Sequence, residues 1–105
     1  MLKGVFEMKS NKTHDNTAKR IAKRYGGQCN SRKGADIPLP TMTIEVETEN
    51  TIGDAPRQLQ GYRNKVYIAT TTKKGIEKAI ERAKGTTIGV MNNEGSIIKK
   101  STRKG

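Results

Sequence analysis

The chain has no tryptophan, one phenylalanine and three tyrosines among its 105 residues. A core this poor in aromatics must be filled by Ile, Val, Leu, Ala and Met. It also leaves few aromatic faces for unpaired bases, so stacking on single strands is not expected to dominate any nucleic-acid contact. There is one cysteine, Cys29. It excludes an internal disulfide, fits a reducing compartment and is expected to be a small buried hydrophobe. No run of about 18 apolar residues and no signal-peptide core is present, so a soluble, cytoplasmic protein with no membrane partner is expected. Acids are the scarcest charged class: 10 Asp and Glu stand against 21 Lys and Arg, a formal net charge of +11. That imbalance points to an anionic partner, of which a phosphate backbone is the usual one.

The few acids are not scattered. Residues 34–56 hold five of them (Asp36, Glu45, Glu47, Glu49, Asp54) and no Lys or Arg, while the segments on either side are strongly basic. An acidic island in a basic chain suggests a site that binds cations within a surface that binds polyanion.

Length and a hydrophobic content of 31% allow one modest domain, expected over 13–99, with an N-terminal arm over 1–12 and a basic tail over 100–105. Capping residues at 13–16 precede Ala18, Ile21, Ala22 and Tyr25, whose spacing predicts a helix ended by Gly26-Gly27. A short strand is expected at 28–32. The segment 41–48, TMTIEVET, alternates strictly and predicts a strand with Met42, Ile44 and Val46 on one face and Thr43, Glu45 and Glu47 on the other. A helix over 54–63 with Asp54 as its cap follows, then a buried central strand, KVYIATT, over 65–71. A second amphipathic helix spans 73–84 with Ile76, Ala79, Ile80 and Ala83 as its apolar stripe, and strands at 86–91 and 96–100 close the chain. Strand–helix–strand units late in the chain and a tight corner early predict an α/β fold with a mixed sheet flanked by helices.

Pro38 and Pro40 make that corner. A two-residue turn at Leu39-Pro40 would pair 37 with 42 and 36 with 43, setting Asp36 on the face of Glu45 as its diagonal neighbour, roughly 7–8 Å away. Carboxylates this close repel unless something positive lies between them, and an oxygen-seeking ion such as Mg²⁺ suits the place. The backbone carbonyl of Val46, between the two glutamates, can face the same ion. A bound Mg²⁺ polarises phosphate and activates water. Alternating Thr and Glu on a strand is also what a plain solvated face looks like.

"GAD" followed eight residues later by "IEVET" resembles the PD-(D/E)xK, or restriction-endonuclease-like, nuclease superfamily. The likeness spans roughly residues 13–71 and is to small archaeal members, Holliday-junction resolvases among them. It implies an α-β-β-β-α-β core, here with an added helix and strands, and a metal-dependent nuclease acting on duplex or junction DNA with Mg²⁺ or Mn²⁺. A homodimer would suit the cutting of two strands. Asp36 and Glu45 then correspond to the metal-binding acids, with Val46 contributing its carbonyl. Glu47 stands where the family usually has lysine, and some restriction endonucleases do carry Glu-x-Glu. Asp36, Glu45 and Glu47 are the expected catalytic residues. Lys33 and Arg57 are candidates to supply the missing positive charge, Gln58 and Gln60 the polar helix residue often found near such a site. Lys19, Arg20, Lys23 and Arg24 would hold the phosphate backbone, and His14 is expected to cap its helix or lie on the surface. The substitution of Glu for Lys also admits a non-cleaving nucleic-acid-binding module on the same fold. A basic structural nucleoprotein component is the third class.

Overall fold

A computed structural model describes residues 12–29, 36–59 and 61–103. Helix α1 (Lys12–Arg24) precedes a hairpin of β1 (Ile37–Pro38) and β2 (Met42–Glu47). A 3₁₀ turn (Ile52–Asp54) leads into the short helix α2 (Ala55–Leu59), and then come β3 (Lys65–Thr70), α3 (Lys73–Ala83), β4 (Gly89–Met91) and β5 (Ile97–Lys99). The five strands form one mixed sheet in chain order, antiparallel at both edges and parallel for β2–β3–β4. A small α/β protein with helices on both faces of a mixed sheet is what the hydrophobic periods predict.

Two cores sandwich the sheet. Ala18, Ile21 and Ala22 of α1 pack on Ile37, Ile44, Val46, Tyr67, Ala69 and Met91. On the other face, Ile52, Ala55 and Leu59 join Ala79 and Ala83 of α3 over Val66, Ile68 and Val90. Central β3 therefore feeds Val66 and Ile68 to one core and Tyr67 and Ala69 to the other, as an apolar run buried on both faces must. Gly89 permits this crowding: a Cβ there would stand 2.4 Å from the Tyr67 ring and 2.6 Å from the Lys99 carbonyl oxygen.

Several expectations change. The hairpin pairs Ile37 with Ile44 and Pro38 with Thr43, two residues out from the predicted register, and the Leu39 amide donates to Met42 O at 2.9 Å. The turn is thus Pro40-Thr41. The cause is covalent: the closing pair of a two-residue hairpin needs an N–H from its first residue, which Pro38 lacks and Leu39 has. Pro40 then takes the turn position its fixed φ favours. Asn64 braces the corner, donating from Nδ2 to Leu39 O and accepting from the Thr43 hydroxyl at Oδ1.

Two strands, not three, precede α2 among the described residues: Gln28 and Cys29 are irregular, and 30–35 lie outside them. Cys29 is exposed, because Gly26 and Gly27 turn the chain out before it. Helix α2 stops at Leu59, four residues short, where Arg103 donates to the Leu59 and Tyr62 carbonyls. In α3 the buried stripe is Gly75, Ala79 and Ala83, while Ile80 is exposed; Gly75, 3.1 Å by its virtual Cβ from the Thr70 side chain, lets the helix start close against β3. Residues 100–103 are no free tail. The Ser101 amide donates to the Tyr67 hydroxyl, the Ser101 hydroxyl donates to Thr87 O, and Arg103 also reaches Thr87 Oγ1. Of the expected arm over 1–12, Lys12 begins α1, while residues 1–11, like 104–105, fall outside the described chain. Among the described residues no helix is long and apolar enough to cross a membrane.

Candidate functional site

Strand β2 outruns its partner. β1 pairs only as far as Ile37 with Ile44, so the Val46 amide faces an edge where β1 has ended. There the Asp36 carboxylate is its partner: Oδ2 accepts from Val46 N at 2.9 Å. One step past the paired residues, Asp36 comes level with Glu45. The two-residue change of register keeps the pleat parity, so the predicted partnership survives and tightens from diagonal to opposite.

Ile44 and Val46 enter the α1 core, so Thr43, Glu45 and Glu47 project from the other face, against which α2 packs. Glu45 is 8% and Glu47 4% exposed, which rules out the solvated-face reading of the alternation. From the first turn of α1, His14 Nε2 lies 3.2 Å from Asp36 Oδ2, and its Nδ1 lies 3.3 Å from Asp15 Oδ1. Asp36 thus receives α1 on one side and Glu45 on the other.

Protonation follows from this packing. Burial, then the hydrogen bond to Asp36, then the charges of Asp36 and Glu47 push the Glu45 carboxyl up to about 9. Burial is also the largest influence on Asp36 and would raise it, but hydrogen bonds from His14, Glu45 and the Val46 amide bring it below the ordinary carboxylate value. The hydrogen bond to Asp36 outweighs burial at His14 and lifts the imidazole to about 9. At neutral pH the cluster is therefore an imidazolium, a carboxylate and a carboxylic acid, with both ring N–H groups of His14 donating to carboxylates.

Two carboxyls level with one another across the hairpin offer oxygen donors only, and the Val46 carbonyl lies on the same strand edge as its amide. Such a set can hold a hard divalent cation once the shared proton leaves. Among the described residues no three His, Cys, Asp or Glu side chains are gathered as a ready-made metal cage.

The structure brings Asp36, Glu45, Val46 and Glu47 together and treats the expected phosphate contacts unevenly. Lys19 and Lys23 are exposed and border a surface hollow of about 410 Å³ with Gln28 and Cys29. Arg20 and Arg24 are turned to structural use. Arg20 donates to Asn93 O, and Arg24 donates to Glu94 O and Ser96 Oγ; beside them the Tyr25 hydroxyl donates to Gly95 O. Carbonyls of a tight turn left without strand partners explain this capture. Arg57 is exposed on α2. The side chain of Gln58, and Lys33 and Gln60 altogether, lie outside the described residues.

His14 is the site residue that sequence reasoning missed. A signal existed: it stands four residues before Ala18 and seven before Ile21, extending the buried stripe of α1 by one turn.

No family model, no curated protein and no solved structure matches the chain. Fold and site together define a small α/β protein with a mixed five-stranded sheet, in which half-buried Asp36, just before the first strand, stands beside buried Glu45 of the second.

Proposed function

We propose that the protein is a Mg²⁺-dependent endonuclease of the PD-(D/E)xK type, with Mn²⁺ able to replace Mg²⁺, hydrolysing phosphodiesters of duplex or junction DNA. The observation that carries the proposal is the placement of Asp36 level with the buried Glu45, its carboxylate bonded to the amide of the next residue, Val46, inside a chain of net charge +11. Carboxyls buried side by side need a proton or a cation between them, and nothing in hydrophobic packing calls for such a pair.

When bound, the ion polarises the scissile phosphate and lowers the pKa of a water molecule. Asp36, Glu45 once deprotonated, and the Val46 carbonyl would hold such an ion. Glu47, buried on the same face, accepts a proton from the attacking water as its oxygen bonds to phosphorus. The P–O ester bond breaks, and the leaving oxygen takes a proton from solvent. Lys19 and Lys23 hold the DNA backbone from α1, contacts that position the duplex and read no sequence.

The test is incubation of supercoiled plasmid and a four-way junction with Mg²⁺ or Mn²⁺. Nicking is expected, with Glu45→Ala abolishing it while gel-shift binding survives. One residue favours a second reading. Glu47 brings a negative charge where the family's lysine would stabilise the developing phosphate charge, as expected of a module that binds DNA and does not cut it. Salt-sensitive binding by the wild-type chain with no cutting under either metal would establish that alternative.

A further inference from the structure

We propose that β5 is an interface strand: its outer edge pairs antiparallel with the β5 of a second copy of this chain, joining the two sheets into one. Among the described residues the large hydrophobic side chains left in solvent are Ile80, Ile97 and Ile98, at 38%, 46% and 48% exposure. All three lie on one side of the molecule. Ile97 and Ile98 belong to β5, the last strand of the sheet, whose outer side no described residue pairs. Ile80 stands roughly 200° around α3 from Arg82, two residues on. Arg82 donates to Gly53 O in the turn that follows β2, so Ile80 faces away from β2, toward the β4–β5 side.

The exposed pair has a local cause. Val90 faces Lys99 and Met91 faces Ile97, so the ladder slips by one and Ile98 is the extra residue of a bulge. Two neighbouring isoleucines are thereby left in solvent, where a regular half-buried strand would cover every second side chain. Sheet edges are usually guarded by shortness, by proline or by a lysine standing on them. At the opposite edge β1 is two residues long and includes Pro38. On β5 the guard is turned inward: the Lys99 amine donates to Ile88 O at 2.7 Å.

Charge selects the occupant. Exposed Glu94 lies in the turn that enters β5, and exposed Lys100 lies just past its end. The edge is therefore negative at one end and positive at the other. A copy laid antiparallel sets each acid beside the other's base, with the isoleucines meeting near the two-fold axis; a parallel copy would set like against like. The pairing makes no use of Asp36 or Glu45 and stands apart from the nuclease reading.

Sedimentation equilibrium on the whole chain, from micromolar to millimolar concentration, reads the dimer constant. Moderate salt is needed because each copy carries +11. Wild type is expected to dimerise. Ile98→Asp should weaken the dimer by about tenfold or more and leave the urea midpoint near that of wild type, since the position is exposed in the single chain. Glu94→Lys and Lys100→Glu, each alone, should weaken it about tenfold, and the two together in one chain should restore it. A wild-type chain that stays monomeric throughout would overturn the self-pairing and leave the edge to a strand of another protein. A dimer indifferent to Ile98→Asp would overturn the assignment of β5. A dimer indifferent to the charge reversals, or not restored by the double change, would overturn the antiparallel arrangement.

Discussion

Stability of this protein should fall as pH rises from 6.5 to 9, and one substitution should remove much of the fall. Glu45 has its carboxyl raised from 4.5 to about 9 and His14 its imidazole from 6.5 to about 9, so the folded chain holds protons there that the unfolded chain has released. A raised group contributes stability that is complete below its unfolded value and is lost as pH climbs through its folded value. The windows are 4.5 to about 9 for Glu45 and 6.5 to about 9 for His14. Each bound proton is worth at most about 1.4 kcal/mol per pH unit. Both groups are coupled through Asp36 and the cluster is partly exposed, so a combined slope of ~1 kcal/mol per unit between 6.5 and 9 is expected. Asp36 acts in the opposite sense: its pKa is lowered from 3.8, so its contribution is present above that value and disappears on acidification. Maximum stability should therefore lie on the acid side of neutrality. Urea unfolding at half-unit pH steps, for wild type and Glu45→Gln, measures it. The amide keeps a donor toward Asp36 but cannot ionise, so the two proteins should be alike near pH 5 and Glu45→Gln the more stable by ~1–2 kcal/mol near pH 8.5. A wild-type curve flat or rising over that range, or equal slopes in both proteins, would refute the protonation scheme.

Three further outcomes are expected. Binding of Mg²⁺ at pH 7 should release close to one proton, because the Glu45 carboxyl must ionise, and calorimetry in buffers of different ionisation heat counts it. Changing Lys19 and Lys23 to Gln should flatten the salt dependence of DNA affinity by about 1–2 units of slope and leave urea stability unchanged; Arg24→Gln should do the reverse, weakening the protein through its lost contacts with Glu94 and Ser96. Arg103→Ala should cost ~1–3 kcal/mol in urea unfolding, since the Leu59 and Tyr62 carbonyls lose a charged donor.

Legibility in the sequence divided along physical lines. Strands β2 and β3 were readable because alternation and a continuous apolar run are direct images of burial on one face and on two. The Asp36–Glu45 pair was readable for a subtler reason: parity along a pleat is unchanged by a slip of two, so the partnership outlived a wrong turn. That turn was decidable from Pro38, whose missing N–H forbids it to close a hairpin. Long-range capture by single side chains left no periodic trace. Arg20, Arg24 and Arg103 read as solvated or phosphate-binding cations, yet their guanidinium groups find carbonyls as far as 73 residues away. Cys29 and Ile80 show the limit of composition, which says what a residue prefers and not which way the chain carries it.

The grip of Arg20, Arg24 and Tyr25 on residues 93–96 bears on how the molecule is made. A ribosome releases α1 some seventy residues before it releases the turn that seats it, so the first helix synthesised is among the last to be fastened. His14 travels on that helix. The His14–Asp36 contact is thus carried on a helix whose far end is fastened by residues made last.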